Sequence, residues 1–131
     1  MHRRTLALIA HDGKKDELVR FVQTHLNVLQ RYRLIATGTT GARIADATGL
    51  DVKRVLSGPL GGDAQIAAQV ATGHVQGVIF LVDPLYAHPH EPDIRGLLRI
   101  CNVHNVPLAT NEATAMLVLE GMERELGETG T

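Results

Sequence analysis

The stretch SGPLGGD, residues 57–63, organises this chain. Three glycines and one proline within seven residues rule out the interior of a strand or a helix. A strand-like run, Val52 to Leu56, precedes the stretch, and an alanine-rich helical run, Asp63 to Thr72, follows it. We call residues 57–63 the glycine loop. It joins the end of a predicted strand to the start of a predicted helix.

The glycine loop combines features of an anion site with a carboxylate. Glycines let backbone N–H groups approach a ligand closely, and a helix N-terminus favours anions. A loop that grips a phosphate and ends in a base, Asp63, would suit proton abstraction from a phosphorylated substrate. The alternative is that Asp63 only caps its helix, where Asp is a favoured residue. The loop taken alone favours the capping role.

The rest of the chain alternates between strand and helix patterns. Strands are predicted over residues 5–10, 32–36, 52–56, 77–82 and 106–109, and helices over an apolar stripe at 18–29, then at about 42–48, 63–72, 93–104 and from about 112. This alternation predicts the α/β class, as a three-layer doubly wound domain with a five-stranded parallel sheet. We expect one domain over residues 1–131, with a polar tail that frays from about residue 121.

Composition excludes several classes of protein. With 131 residues, a formal net charge of −1 and four aromatic side chains, the chain has neither the basic patch nor the stacking groups that nucleic acid needs. One cysteine, Cys101, excludes an intrachain disulfide and fits a reducing compartment. The apolar run at residues 5–10 is too short for a signal peptide or a membrane span. We therefore expect a cytoplasmic protein without a membrane partner.

Polar clusters follow every predicted strand. They are His11 to Lys15, Thr37 to Gly41, Ser57 to Asp63, Asp83 to Asp93, and Thr110-Asn111. In an open parallel sheet these segments share the carboxyl edge, where ligands bind. Five clusters at one edge are a stronger signal than any one of them.

The second cluster, TGTTG at residues 37–41, reads as an anion-binding turn, and we call it the threonine cup. Backbone N–H groups, hydroxyls and a helix N-terminus would face one point there. It matches neither the dinucleotide fingerprint nor a P-loop. The alternative is a simple helix cap, with Thr40 capping and Gly38 turning. Lys15 lies just inside the first helix and could reach the same anion. A lysine in a first helical turn opposes the helix dipole, which favours a functional role, and the alternative is a solvated surface lysine.

The remaining polar residues leave plain alternatives open. His11 and Asp12 lack a third metal ligand, and only His88 and His90 lie close together among seven histidines, so no metal site is predicted. His11 could be satisfied by backbone at a strand end, and residues 83–85 could form an ordinary turn. His90 and Asp93 could be a loop histidine and a helix N-cap.

Taken together, the clusters resemble the methylglyoxal synthase family. The motifs that carry the resemblance are AHD at 10–12 with Lys15, ATGTTG at 36–41, SGPLGGD at 57–63, DPL at 83–85, PHEPDI at 89–94 and PLATN at 107–111. They extend over about residues 5–120. The glycine loop together with the segment of His90 and Asp93 is the part specific to the synthases.

The resemblance implies conversion of dihydroxyacetone phosphate to methylglyoxal and inorganic phosphate without a cofactor. It also implies a homohexamer, inhibition by phosphate and a place in a glycolytic bypass. By motif, Asp63 is the general base and His90 the catalytic histidine. The remaining catalytic-site residues are His11, Asp12, Asp83 and Asp93, and the substrate and phosphate contacts are Lys15, Thr37, Thr39, Thr40, Ser57 and Gly58.

Two positions depart from the family pattern. The chain ends at Thr131 without the longer basic tail of better-known members, and Arg124 is the basic residue in its tail. This departure puts communication between subunits in doubt. Gly13 stands where a histidine is more usual.

Three other functions stay open on the sequence. A regulatory module that binds phosphorylated small molecules, as in carbamoyl-phosphate synthetases, would need the threonine cup but not Asp63, His90 and Asp93 together. A triose-phosphate isomerase-like activity would act on the same substrate without releasing phosphate. A flavodoxin-like cofactor binder would need aromatic side chains beside these loops.

Overall fold

The computed structural model describes residues 3–85 and 94–129. Its strands are β1 (Thr5–Ala10), β2 (Arg33–Thr37), β3 (Val52–Val55), β4 (Gly77–Leu81) and β5 (Leu108–Ala109). They pair in parallel in the order β3-β2-β1-β4-β5. Its helices are α1 (Lys15–Thr24), α2 (Leu26–Leu29), α3 (Gly38–Thr48), α4 (Gly62–Ala71), α5 (Ile94–Val103) and α6 (Glu112–Thr129), with 3₁₀ turns at Asp12–Lys14 and Gly58–Leu60.

The sheet is covered on both faces, as its apolar strands require. Residues of β1 alternate, so that Leu6 and Leu8 pack with α1, α3 and α6, whereas Ala7 and Ile9 pack with α4 and α5. The chain adds strands in one direction through β3 and then crosses to β4 on the other side of β1. Right-handed crossovers require the helices to change face at that reversal. The three-layer doubly wound fold is therefore confirmed.

The helix predicted over residues 18–29 is interrupted at His25, whose φ of −107° and ψ of 26° are not helical. The hydroxyl of Thr24 donates to the carbonyl of Arg20 at 2.9 Å, in the last turn of α1. The apolar stripe survives the interruption, since Phe21, Val22 and Leu29 are all buried in the same core.

The last helix is longer than the sequence suggests. We expected a frayed tail from about residue 121, but α6 continues to Thr129 and buries Met122. A Cβ at Gly77 would lie 2.7 Å from the Met122 sulfur, so the glycine leaves room for that side chain. Farther along, the Tyr32 hydroxyl donates to Glu123 at 2.7 Å. Burial and then this carboxylate raise the pKa of Tyr32 above its ordinary range.

Two further observations bear on function. Burial raises the pKa of Cys101 to about 11, so this thiol behaves as a core residue. Within residues 3–85 and 94–129, no helix is both long and apolar enough to cross a membrane. The single domain over residues 1–131 stays a prediction.

Candidate active site

The carboxyl ends of the strands bring the polar clusters together. In the sheet order, the ends of β3, β2, β1 and β4 are consecutive neighbours, so the described residues that follow them, which in the fourth cluster are 83–85, lie along one edge. The reversal of strand order occurs around β1 and β4, and ligands of open α/β sheets bind at such a point. The topology therefore places four of the five clusters where a shared site is expected.

The threonine cup is the first turn of α3 and not a loop before the helix. Thr37 is the N-cap residue, its side chain makes no capping hydrogen bond, and the helix begins at Gly38. Gly38 is not among the described glycines with positive φ, which are Gly49, Gly61 and Gly73. The capping alternative, with Thr40 as cap and Gly38 as turn, is therefore wrong.

Thr40 is the most informative residue of the threonine cup. Its side chain is 2% exposed, and its Oγ1 has no hydrogen-bond partner among the residues described. A threonine inside a helix commonly bonds back to the carbonyl four residues earlier, as Thr48 does to Ile44 at 2.6 Å. Burying an unsatisfied hydroxyl costs about 1–3 kcal/mol. An anion oxygen at the positive end of α3 would satisfy Thr40 and the free N–H groups of the first turn.

The glycine loop is closed by its own backbone. The carbonyl of Ser57 accepts the N–H groups of Leu60 and Gly62, both at 3.0 Å. Gly61 has φ of 102°, in the left-handed region that favours glycine. A Cβ at Gly62 would lie 1.8 Å from the carbonyl oxygen of Leu56, so no side chain fits at this position. The loop is thus held in one conformation by contacts that a side chain at Gly62 would break.

This closed loop presents Asp63 in the first turn of α4. The N-cap residue is Gly61, and no side-chain capping bond forms there. The prediction that Asp63 merely caps its helix is therefore wrong. The carboxylate is half-buried, and among the described residues no side chain pairs or hydrogen-bonds with it. Asp63 therefore follows directly on Gly62, the residue that packs against Thr37 of the threonine cup.

The threonine cup and the glycine loop touch each other. The N–H of Gly38 donates to the carbonyl of Leu56 at 3.4 Å. A Cβ at Gly38 would lie 3.3 Å from the carbonyl oxygen of Val55 and 3.4 Å from the Ser57 nitrogen. On the other side, a Cβ at Gly62 would lie 3.0 Å from the Thr37 methyl group. The missing side chains of two glycines therefore let the two segments pack into one site.

His11 is fixed at the junction of β1 and β4. It is 8% exposed, and its ring stands edge-on to Phe80 with centroids 5.3 Å apart. Its Nδ1 accepts the N–H of Asp83 at 2.9 Å. A neutral His11 therefore carries its proton on Nε2, which makes Nε2–H a hydrogen-bond donor.

The Asp83 carboxylate is hydrogen-bonded within its own turn and lies close to Gly13. Its Oδ1 accepts the N–H of Leu85 at 3.1 Å, so the predicted turn is present. Its Oδ2 lies 2.6 Å from the position of a Cβ at Gly13. Gly13, which departs from the family pattern, therefore leaves space for the Asp83 carboxylate.

Asp12 and Lys15 form an ion pair with 2.7 Å between Oδ1 and Nζ. The Lys15 side chain is 15% exposed, whereas that of Asp12 is 74% exposed. The next residue, Asp16, pairs with Arg43, which ties the start of α1 to α3. Lys15 is thus largely buried beside the helix that begins with the threonine cup.

The other predicted site residues divide into two groups. Thr37 is buried, Thr39 is exposed, and Ser57 and Gly58 are partly buried at the start of the glycine loop. His90 and Asp93, like His88, lie outside the described residues, so their predicted roles stay predictions. Within residues 3–85 and 94–129, no group of three or more His, Cys, Asp or Glu side chains could hold a metal ion.

Sequence reasoning missed two positions that shape this site. Gly62 packs under the Leu56 carbonyl, and Gln65 accepts the Leu56 N–H at 2.8 Å. The adjacent glycines at 61 and 62 were a sequence signal for Gly62, because a turn by itself needs only one glycine. No sequence signal identified Gln65.

Comparisons with known proteins identify the family. Residues 17–110 match the family model described as the MGS-like domain. Methylglyoxal synthase of Thermus thermophilus is 67% identical over 86% of this chain and 89% of its own length. That of Ralstonia nicotianae is 61% identical over 89% of this chain and 87% of its own length.

A solved structure shows the same fold. The crystal structure of methylglyoxal synthase from Elizabethkingia anophelis has 50% sequence identity and a TM-score of 0.87, and the match covers 89% of this chain and 77% of that one. The resemblance inferred from the motifs is thereby confirmed, and this chain belongs to the methylglyoxal synthase family.

Proposed function

We propose that this protein is a carbon–oxygen lyase that converts dihydroxyacetone phosphate to methylglyoxal and inorganic phosphate. The observation that carries the proposal is the buried, unpartnered hydroxyl of Thr40 at the start of α3, packed beside the loop that presents Asp63. A phosphate group would accept the hydrogen bond of the Thr40 hydroxyl, and Asp63 would accept a proton from the same substrate. Family membership favours this activity over the regulatory module.

The substrate phosphate binds in the threonine cup. The first-turn N–H groups of α3, the Thr39 and Thr40 hydroxyls and the Ser57 and Gly58 backbone surround it, and Thr37 shapes the wall on the side of Gly62. Lys15 supplies a positive charge near the same point, and Asp12 holds that charge in place. The phosphate group is fixed before the chemistry begins, which lowers the entropic cost of the reaction.

Asp63 removes a proton from the hydroxymethyl carbon next to the carbonyl. The proton passes to the carboxylate, the electron pair of the C–H bond forms a carbon–carbon double bond, and the π electrons of the carbonyl move onto its oxygen, which gives an enediolate. Fixed donors must stabilise that oxygen, and removing one such donor typically costs about 2.7–4 kcal/mol. The Nε2–H of His11 and the side chain of His90 are the donors, and Asp83 orients His11 through its backbone N–H.

Loss of phosphate then separates this reaction from isomerisation. The oxygen on the former hydroxymethyl carbon gives up its proton and becomes the aldehyde oxygen, while the other oxygen takes up a proton and the shifting double-bond electrons expel the phosphate as the C–O bond breaks. The resulting enol gains a proton on its methylene carbon and loses its hydroxyl proton to give methylglyoxal. The breaking bond must stand perpendicular to the enediolate plane, so the threonine cup has to hold the phosphate out of that plane. Asp93 acts with His90 in moving protons during these steps.

The family resemblance also supports proposals about assembly, regulation and location. We propose a homohexamer that works in the cytoplasm as part of a glycolytic bypass and is inhibited by phosphate bound in the threonine cup. Leu60 and Leu117, which are 70% and 67% exposed in the single chain, supply apolar surface for contacts between subunits.

Product analysis tests the proposed function. Purified protein is mixed with dihydroxyacetone phosphate, and methylglyoxal, inorganic phosphate and glyceraldehyde 3-phosphate are followed together. We expect methylglyoxal and phosphate in equal amounts. Formation of glyceraldehyde 3-phosphate without phosphate release would establish an isomerase instead. Binding of the substrate without any turnover would establish a regulatory module.

A further inference from the structure

A second cleft lies at the opposite edge of the sheet. It encloses about 470 Å³ and is lined at the amino ends of three neighbouring strands by Arg3, Arg33, Asp51 and Lys53. Gln69 and His74, from the end of α4 and the segment after it, complete its wall. From Arg33 to Thr37, β2 spans about 13 Å at the usual rise per residue, so this cleft is separate from the threonine cup.

The strand register explains why cations gather there. Arg33 is paired with Thr5, and Lys53 with Ile35, in the parallel sheet. Paired residues of parallel strands project on the same face, and Ile35 belongs to the core under α4 and α5. Arg33 and Lys53 therefore lie on one face of the sheet, at the end that α4 leaves open.

Within the described part of the chain, Arg3, Arg33 and Lys53 form no ion pair, whereas several other cations do. Arg4, Arg31 and Arg43 each pair with a carboxylate. Among the described residues, by contrast, no carboxylate lies within ion-pair distance of Arg3, Arg33 or Lys53. Three cations against the single carboxylate of Asp51 leave two net positive charges in the cleft.

We propose that this cleft binds a small, multiply charged anion that carries phosphate or carboxylate groups. Two arginines and one lysine, all exposed, line one concave space, and guanidinium groups bind such oxygens through paired hydrogen bonds. Leu34 and Ile35 also line the space, and apolar walls strengthen the attraction between opposite charges. The side chains of Gln69 and His74 offer further hydrogen bonds to the ligand. The proposed function assigns no role to any of these side chains.

Calorimetric titration with two probes tests the proposal and distinguishes the two ligand chemistries. Inorganic pyrophosphate and citrate are titrated separately into the wild-type protein and an Arg33→Gln/Lys53→Gln double variant. An Arg20→Gln/Arg99→Gln double variant removes the same charge from exposed positions outside the cleft. A Thr40→Val variant removes a contact of the threonine cup. Methylglyoxal formation is measured for both double variants.

We expect one probe or both to bind the wild-type protein, with affinity that falls as salt rises. The Arg33→Gln/Lys53→Gln variant should weaken that binding by about tenfold or more, because charged hydrogen bonds are lost, while basal activity is kept. The Arg20→Gln/Arg99→Gln and Thr40→Val variants should retain this binding. Preference for pyrophosphate or citrate then identifies the ligand chemistry.

Three results would overturn the proposal. Equal weakening in the two double variants would show an effect of overall charge and no site. Loss of all probe binding in Thr40→Val would place the anion in the threonine cup. Absence of probe binding, with a changed oligomeric state in Arg33→Gln/Lys53→Gln, would make the cleft a contact between copies of the chain.

Discussion

The threonine cup and the glycine loop follow the neighbouring strands β2 and β3, but they differ in how their polar groups are hydrogen-bonded. The threonine cup is ordinary helix that leaves the hydroxyl of Thr40 unsatisfied. The glycine loop forms hydrogen bonds within its own backbone. This conformation requires a positive φ at Gly61 and a close contact between Gly62 and the carbonyl of Leu56. In the proposed function, the first segment receives an anion and the second fixes the position of Asp63. Variants of the threonine cup should therefore change binding, and variants of the glycine loop should change turnover and stability.

The largest expected effect is on turnover, in Asp63→Asn. Replacing the base should lower kcat by about 10²–10⁴-fold with a small change in KM, because the amide cannot accept the proton. Steady-state kinetics of phosphate release measures both constants. Asp46→Asn, at an exposed position of α3, is the matched control and should keep normal activity. Near-normal turnover in Asp63→Asn would remove Asp63 from the mechanism.

The second effect is on stability and compares one glycine from each segment. Gly62→Ala should lower the free energy of unfolding by about 3 kcal/mol, because its Cβ would meet the fixed backbone oxygen of Leu56. Gly38→Ala should change it by less than about 1 kcal/mol, because the better helix propensity of alanine offsets a tight contact. Denaturant unfolding measures both variants. Equal losses would mean that the two segments are equally strained.

A smaller effect is expected at Gly61. A Cβ there would have nothing within 4 Å, so the cost of Gly61→Ala is that of the backbone conformation alone. We expect a loss of about 1–2 kcal/mol, and a smaller loss for Gly61→Asn, since asparagine visits the left-handed region more readily. The same denaturant series measures both. A larger loss for asparagine than for alanine would show that space, and not φ, limits this position.

Sequence patterns identified the fold because the apolar pattern of the strands agrees with their burial in the sheet. The run at 5–10 is apolar after Thr5 and forms β1, which is buried on both faces. The start of α3 was misjudged, since two glycines and three threonines in TGTTG have low helix propensity. The Gly38 N–H donates to the carbonyl of Leu56, which ties this turn to the residue after β3 in spite of its low helix propensity.

The grouping of the polar clusters at one edge of the sheet was predictable from the sequence, and the contacts between them were not. The five polar clusters follow the strands, so their shared edge could be deduced from topology. The hydrogen bond from the Asp83 N–H to His11 joins positions 72 residues apart, and nothing local specifies it. The close approach of Gly62 to Leu56 likewise exists only after the strand, the turn and α4 have packed together.

The most direct test of the central claim is thermal unfolding of Thr40→Val with and without inorganic phosphate. Thr48→Val is the matched control on the same helix, because the Thr48 hydroxyl donates to the Ile44 carbonyl. Without phosphate, we expect Thr40→Val to be as stable as the wild type or up to about 1 kcal/mol more stable, and Thr48→Val to be about 1 kcal/mol less stable.

With phosphate, the wild type and Thr48→Val should gain stability through binding, by about 2.7 kcal/mol at a hundred times Kd, and Thr40→Val should gain much less. That pattern would show that the hydroxyl of Thr40 is left unsatisfied so that it can bind an anion. If Thr40→Val is destabilised as Thr48→Val is and keeps the full gain from phosphate, the threonine cup does not hold the phosphate.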